Sequence, residues 1–204
     1  HDKAEVEYLF APANAVSDAE ADVTDAQVDA YYAEHQAEFR HPEWDAFRGL
    51  TEMDEREKMA AEKGLQYIGL DGTVGIIANG AGLAMSTLDV VNQVGGSAAN
   101  FLDIGGGANA DVMAGALEVI NFDDKVQSIL INIFGGITRG EEVAKGIVEA
   151  MGRVDLRAPI VIRLDGTNAE EGRQILLDAG IPADKLQSEP TMLDAARAAV
   201  AKAK

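Results

Sequence analysis

The sequence predicts an α/β fold in which a doubly wound parallel sheet carries helices on both faces. Three observations lead to this prediction. From about residue 74 onward, short apolar runs alternate with longer amphipathic stretches, as in repeated βαβ units. The runs are apolar almost throughout, which is typical of parallel strands that are buried on both faces. Each of the first three runs is followed by a glycine-rich turn, which suits a tight passage from strand to helix.

Five strands and five helices follow one another in this region. The predicted strands are Val74–Ala78, Asn100–Ile104, Ser128–Phe134, Ile160–Leu164 and a weaker Lys185–Ser188. The predicted helices lie near 81–94, 109–121, 138–151, 168–179 and 192–204. Five strands with crossovers of this length favour a flavodoxin-like five-stranded parallel sheet, whose ligands bind beyond the carboxyl ends of the strands.

A different pattern precedes the sheet. A charged helix is predicted over roughly 52–63, and the runs Gln66–Leu70 and Val74–Ala78 meet at Asp71-Gly72, which predicts a β-hairpin. Residues 1–38 contain ten acidic side chains, one Lys and no Gly, and they predict a short strand and an amphipathic helix. The predicted organisation is an acidic N-terminal segment over 1–38, a linker with the charged helix over 39–65, and the sheet domain over 66–204.

Composition excludes several functions. The net charge of −18 disfavours nucleic acid and anionic membranes as partners, because like charges repel. The absence of Cys excludes disulfides, thiolate catalysis and Cys-ligated metals. No run approaches the roughly 18 apolar residues of a membrane helix, and the opening HDKAEVE lacks a basic and apolar lead, so a cytoplasmic location is expected. The acidity fits salt adaptation and an ordinary acidic enzyme equally well.

The glycine-rich turns form the candidate ligand site. We predict anion-cradling turns at Gly80, Gly82, Gly105, Gly106, Gly107 and Gly135. Glycine lets backbone N–H groups approach a ligand, and the start of a helix presents free donors to an anion, although any one turn also has a purely geometric explanation. The sheet region contains no His and no Cys, so a nucleophile must come from elsewhere. An anion-binding half-site is therefore the main prediction, and a stand-alone mononucleotide binder stays a weaker alternative.

Long motifs in this region resemble a known family. The segments VGIIANGAGLAMSTLDVV, ANFLDIGGGA, ILINIFGGITRGEEVAKGIV and PIVIRLDGTNAEEGRQIL are similar to the C-terminal domain of the β subunit of ADP-forming succinate–CoA ligase. The resemblance begins near FRHPEWDAFRGLTEMDEREK and covers about four fifths of the chain. Residues 1–38 resemble instead a segment of a parvulin-type prolyl isomerase or folding factor, so the chain looks like a join of two unrelated pieces, natural or artificial.

The resemblance implies an enzyme of two subunit types. An α subunit would bind CoA and carry the histidine that is phosphorylated in turnover, so no catalytic residue is expected in this chain. By the same resemblance, Asn79, Gly136, Ile137 and Thr138 would contact succinate or phosphate. Mg²⁺ and ATP would bind in an ATP-grasp domain that the chain does not match. Its magnesium positions correspond here to Gln36 and Gly49, so no metal is expected.

Two functions from different classes follow from these observations. The chain would form half of a ligase site that converts succinate, CoA and ATP to succinyl-CoA, ADP and phosphate. The alternative is a catalytically silent fragment or subunit-interaction module. The sequence does not distinguish succinate from malate or ADP from GDP.

Overall fold

The computed structural model describes residues 54–106, 109–136 and 138–203. The chain divides into two units, 1–52 and 53–204, and the described residues lie in the second. The predicted strand and helix within residues 1–38, as well as Gln36 and Gly49, lie outside the described residues.

Six strands and six helices lie within the described residues of this unit, and from β2 onward they alternate. The strands are β1 (Gln66–Gly69), β2 (Val74–Ala78), β3 (Asn100–Asp103), β4 (Ser128–Gly135), β5 (Ile160–Gly166) and β6 (Leu186–Ser188). The helices are α1 (Glu55–Glu62), α2 (Ala81–Gln93), α3 (Ala110–Phe122), α4 (Gly140–Arg153), α5 (Ala169–Asp178) and α6 (Met192–Lys202). The five predicted strands and the helices between them are confirmed to within about two residues at each end.

The sheet has the strand order β1-β3-β2-β4-β5-β6. Strands β2 to β6 are mutually parallel and have the flavodoxin-like order, with the first of them between the second and the third. The predicted doubly wound sheet is therefore confirmed, and β2 and β4 are the neighbours at which the direction of winding reverses.

The predicted hairpin is wrong. β1 pairs antiparallel with β3 through Tyr67 and Leu102, and it does not touch β2 in the sheet. The connection after β1 passes around the start of β3, where the Gly72 N–H donates to the Ala98 carbonyl at 3.0 Å. The crossover through α2 places β3 on one side of β2, and β4 lies on the other side, so β2 has no free edge and β1 pairs with the outer side of β3.

Alternating side chains of the buried strands fill two cores. On β4, Ile129, Ile131 and Ile133 pack toward one face, which α1, α3, α4 and α5 cover. Leu130 packs toward the other face, with Val74 and Ile76 of β2, under α2 and α6. Burial of both faces explains why the strands read as continuous apolar runs.

Candidate functional site

Three glycine-rich turns meet at the carboxyl edge of the sheet. They follow β2 at Asn79 and Gly80, β3 at Gly105 and Gly106, and β4 at Gly136 and Thr138. These strands are adjacent and parallel, so their turns are neighbours. Two predicted site residues, Gly107 and Ile137, lie outside the described residues. The structure thus brings the other predicted residues to one edge, beside the reversal point between β2 and β4.

Asn79 joins the turn after β2 to the end of β4. Its Nδ2 donates to the Phe134 carbonyl at 2.9 Å, and its Oδ1 accepts from the Phe134 N–H at 2.8 Å. The carboxamide thereby extends the β2–β4 ladder one step past the last backbone pair. One N–H of the Asn79 amide is left over from these two bonds, so the side chain can still donate to a ligand.

Asp103 joins the same turn to the turn after β3. Its Oδ1 accepts from the Gly80 N–H at 2.6 Å and from the Gly105 N–H at 2.7 Å. Asp103 is not among the site residues that the sequence predicted. The available signal was an acidic residue at the end of a strand and two residues before an exposed glycine, a spacing at which Asp side chains bond the backbone.

Thr138 closes the arrangement between the turns after β3 and β4. Thr138 is 7% exposed. Its hydroxyl donates to the Gly106 carbonyl at 3.0 Å. Asn79, Asp103 and Thr138 therefore link the three turns in a closed ring of side-chain to backbone bonds. Such a ring holds the backbone donors in place before any ligand arrives.

A buried polar chain lies beneath the ring. The Nδ2 of Asn132, on β4, donates to the Thr87 hydroxyl at 2.8 Å, and that hydroxyl donates to the Leu83 carbonyl at 2.7 Å. Asn132 and Thr87 are both fully buried. Because buried polar groups are costly to leave unpaired, these two hydrogen bonds fix the position of the first turns of α2 relative to β4.

The helices that follow the three turns differ at their N-termini. α3 is capped by Asn109, whose side chain accepts from the Val112 N–H at 3.0 Å. α2 begins at Gly80 without a side-chain cap, and the N–H groups of Ala81, Gly82 and Leu83 have no partner among the described residues. The start of α2 is therefore the more open donor set of the two.

Backbone N–H groups in the first turn of α4 already donate to carbonyl groups of the same chain. The Gly140 N–H donates to the Thr167 carbonyl at 2.9 Å, and the Glu142 and Val143 N–H groups donate to the Arg139 carbonyl. Glu141 is 4% exposed, and its carboxylate pairs with the exposed Arg139 at 2.7 Å. Donors for an anion on this side must therefore come from the turn before α4, at Gly136 and Thr138.

Opposing effects act on the Glu141 carboxyl. Burial raises its pKa, but its own backbone N–H, the polar Asn168 side chain and the Arg139 guanidinium together lower the pKa by more than burial raises it. The net pKa lies below the usual value of a glutamate. Glu141 is therefore ionised at neutral pH and keeps a negative charge in the first turn of α4.

The glycines of the turns divide into two kinds. A Cβ on Gly135 would lie 2.9 Å from the backbone N and O of Thr167, so this glycine allows the ends of β4 and β5 to approach. A Cβ on Gly136, Gly82 or Gly106 would meet no described atom within 4 Å. Close packing therefore explains why residue 135 lacks a Cβ. It does not explain why the other three positions are glycine.

Two exposed apolar side chains lie on elements that carry the ring, α2 and β4. Met85, in α2, is 62% exposed, and Phe134, beside Asn79, is 53% exposed. The Arg163 guanidinium lies 5.8 Å from the centre of the Phe134 ring, which favours a cation–π contact.

Residues that could bind a metal are sparse in this region. Within 54–106, 109–136 and 138–203, no three His, Asp or Glu side chains lie close enough to hold an ion together. No described helix is long and apolar enough to cross a membrane.

The strand order and the linked turns define a class, the doubly wound α/β domains that bind ligands at the carboxyl edge of the sheet. Comparison with known families narrows this class. The CoA-ligase family model matches residues 77–198, which include Asn79, Asp103, Gly136 and Thr138. The chain belongs to the CoA-ligase family.

Similar proteins agree with this membership. The ADP-forming succinate–CoA ligase subunit beta of Rubrobacter xylanophilus is 54% identical over 162 residues, which are 79% of this chain and 42% of that protein. Subunit beta 2 of the corresponding ligase of Archaeoglobus fulgidus is 54% identical over 138 residues, or 68% of this chain and 36% of that protein. The chain spans about two fifths of the length of these curated relatives.

A solved structure shows the same fold. ATP citrate lyase from Methanothrix soehngenii, in complex with citrate and coenzyme A, aligns with a TM-score of 0.60 at 18% identity. The alignment covers 74% of this chain and 43% of that one. At this identity the likeness concerns the fold alone.

Proposed function

We propose that this chain is one half of the acid-substrate site of an ADP-forming succinate–CoA ligase. The observation that carries the proposal is the ring formed by Asn79, Asp103 and Thr138, which presents open backbone donors next to glycines that packing does not require. The beta-subunit names of the relatives support the same conclusion. The reaction would be succinate + CoA + ATP giving succinyl-CoA + ADP + phosphate.

In this proposal the chain binds and orients an anion. The Ala81 and Gly82 N–H groups and the turn at Gly136 would donate to the oxygens of a carboxylate or phosphate, and the spare Asn79 N–H would add a further bond. Donors that are already held in place stabilise developing negative charge without having to reorganise. The sheet region carries no histidine, so the phosphohistidine would come from an α subunit.

The α subunit would dock over the apolar side chains beside the ring. Met85 and Phe134 offer an exposed surface next to the donors, so a partner that covers them would also exclude water from the bound anion. CoA would bind on that partner. ATP and Mg²⁺ would bind in the ATP-grasp domain that the family resemblance implies. A cytoplasmic location belongs to the same proposal.

Co-expression with a matching α subunit tests the docking step. We would express this chain with the α subunit of the Rubrobacter xylanophilus ligase and determine the mass of the purified product by light scattering. A stable complex of both chains is expected. A monomer of this chain beside free α subunit would contradict the proposal.

Turnover tests the chemical step. A separately expressed ATP-grasp domain would be added to the complex, and thioester formation would be followed with succinate and with malate. ATP-dependent thioester formation with one of these acids supports the ligase half-site and identifies the acid. A complex that forms and does not turn over with either acid supports the second candidate.

The second candidate is a catalytically silent interaction module that keeps the docking face. One observation favours it, namely the exposed Phe134 side chain beside Asn79, because a docking surface needs no chemistry of its own. Replacement of the apolar side chains separates docking from catalysis. Met85→Ser with Phe134→Ser is expected to prevent complex formation under both candidates, whereas the turnover assay distinguishes them.

A further inference from the structure

We propose that Asp103 is a positioning residue for the acid substrate, a role that rests on the proposed function of the ring. Its carboxylate would act through Gly80 and would not touch the substrate. By holding the N–H of Gly80, it fixes the direction in which the open N–H groups of Ala81 and Gly82 point.

The first argument is the geometry around Asp103. The backbone ladder between β2 and β3 ends with the Ile104 N–H donating to the Ala78 carbonyl at 3.0 Å. Beyond that bond, the connection between the two turns passes through Asp103 Oδ1, which accepts from Gly80 at 2.6 Å and from Gly105 at 2.7 Å. One oxygen atom thus sets the separation of the two turns.

The second argument is the backbone at Gly80. Its φ is 98°, in the left-handed region. Glycine populates positive and negative φ about equally, so it has little intrinsic preference for this conformation. The fold supplies no cap from a side chain within α2 itself to hold that conformation. A charged acceptor on the Gly80 N–H therefore selects one conformation of a residue that would otherwise sample several.

The third argument concerns charge. Asp103 places a carboxylate beside donors that are proposed to receive another anion, and an unpaired carboxylate there would repel it. The two N–H bonds to Oδ1 offset part of this charge. The two roles of the side chain, acceptor and charge, can be separated because asparagine retains the acceptor oxygen and lacks the charge.

Hydrogen exchange of the chain alone tests the contact without any need for activity. In Asp103→Ala, exchange of the Gly80 and Gly105 amides should accelerate together, and in Asp103→Asn it should stay slow. The Gly140 amide, which donates to the Thr167 carbonyl at 2.9 Å, serves as the internal control and should be unchanged. Unchanged exchange at Gly80 and Gly105 in Asp103→Ala would overturn the proposal.

Kinetics of the reconstituted complex test the substrate role. Asp103→Ala should raise KM for succinate about tenfold, the size expected for the loss of a charge-assisted hydrogen bond. The KM for ATP should stay within twofold, and kcat should fall less than KM rises. Asp103→Asn should restore the KM for succinate to the wild-type value or below it, because the acceptor returns without the charge.

The matched control is Asp89→Ala, which removes an exposed acid from the same helix that Gly80 begins. It should leave both KM values unchanged. A wild-type complex without turnover would overturn the proposed function and the substrate role together. A wild-type complex that turns over, with Asp103→Ala as good as wild type or with Asp103→Asn as poor as Asp103→Ala, would overturn Asp103 alone.

Discussion

At the scale of single residues, side chains complete the backbone pairing where the strands of this sheet end. Asn79 continues the β2–β4 ladder, and Asp103 continues the link between β2 and β3. These two side chains hold the turn after β2 from both sides. Glycines such as Gly136, in contrast, leave space that no described atom fills. The division between filled and open positions indicates which residues the fold needs and which are free for a ligand.

Gly136→Asp is expected to abolish function and to leave the fold intact. Its Cβ meets no described atom within 4 Å, so the chain alone should melt within a few degrees of the wild type. In the reconstituted complex, a carboxylate in the proposed place of the substrate anion should lower kcat/KM by about 100-fold or more. Thermal melts and the thioester assay measure the two effects.

Gly152→Asp is the matched control for this variant. Gly152 is exposed on α4, and a Cβ there likewise meets no described atom within 4 Å. It should retain wild-type kcat/KM. Equal activity of the Gly136 and Gly152 variants would contradict the assignment of the turn.

At the scale of elements, the junction of β2 and β3 depends on a side chain. The parallel pairs Val74–Ala98 and Ala78–Asp103 lie on either side of this junction, so the chain at β3 advances five residues where β2 advances four. In between, Asn100 accepts from the Ile76 N–H at 2.9 Å and donates to the Ile76 carbonyl at 2.8 Å. Asn100 thus compensates for the extra residue of a bulge.

Asn100→Leu should destabilise the sheet strongly. The variant keeps the number and branching of the side-chain heavy atoms, but it leaves the N–H and carbonyl of Ile76 unpaired in the core, at about 1–3 kcal/mol for each group. We expect the free energy of unfolding to fall by about 3 kcal/mol in denaturant titrations. Asn92→Leu, at an exposed position of α2, should change it by no more than about 0.5 kcal/mol.

Ion pairs join the start of helix α1 to the end of helix α3. Arg56 pairs with Asp54, the N-cap residue of α1, and with Asp123, whose side chain is 6% exposed. Tyr67 of β1 is buried beside this cluster. Burial raises the pKa of Tyr67 to about 12, and the nearby Arg56 guanidinium offsets only part of that rise.

The raised pKa of Tyr67 predicts a loss of stability in alkali. The side chain of Tyr67 titrates near pH 10 in the unfolded chain. Its contribution to the free energy of unfolding is therefore complete below pH 10 and is lost as pH rises from about 10 to about 12. The tyrosinate absorbance of the wild type minus that of Tyr67→Phe should titrate near pH 12. A difference curve centred near pH 10 would contradict the buried position of this side chain.

At the scale of the whole molecule, negative charge dominates. The chain has 35 Asp and Glu against 17 Lys and Arg. Most ion pairs among the described residues are exposed, such as Lys125 with Asp71 and Lys58 with Glu55. Exposed pairs of this kind contribute little to stability, so net repulsion is expected to act against the compact state.

Salt should therefore stabilise the chain. We expect the melting temperature to rise with KCl, and most of the rise should occur below about 0.5 M because the Debye length shrinks from about 10 Å at 0.1 M to about 3 Å at 1 M. A rise that continues linearly to molar salt would indicate solvent exclusion in place of screening. A flat melting temperature would contradict salt adaptation.

The sequence was sufficient for the parts of the fold that depend on local pattern. Apolar runs and helical periodicity predicted β2 to β6 and the helices, since these patterns reflect burial on one or both faces of each element. The Asp71-Gly72 turn misled, because turn chemistry specifies a change of direction and does not specify which strand becomes the neighbour. The crossover through α2 places β3 next to β2, which is the position that β1 would occupy in a hairpin.

By itself, the sequence determined the doubly wound sheet, the glycine-rich turns at its carboxyl edge and the absence of histidine from the sheet region. Only the tertiary structure decided how these turns are joined. The roles of Asp103, Asn100 and Thr138 depend on bonds to backbone groups 23, 24 and 32 positions away. Such partners become neighbours only when parallel strands align, so no local pattern in the sequence could have revealed them.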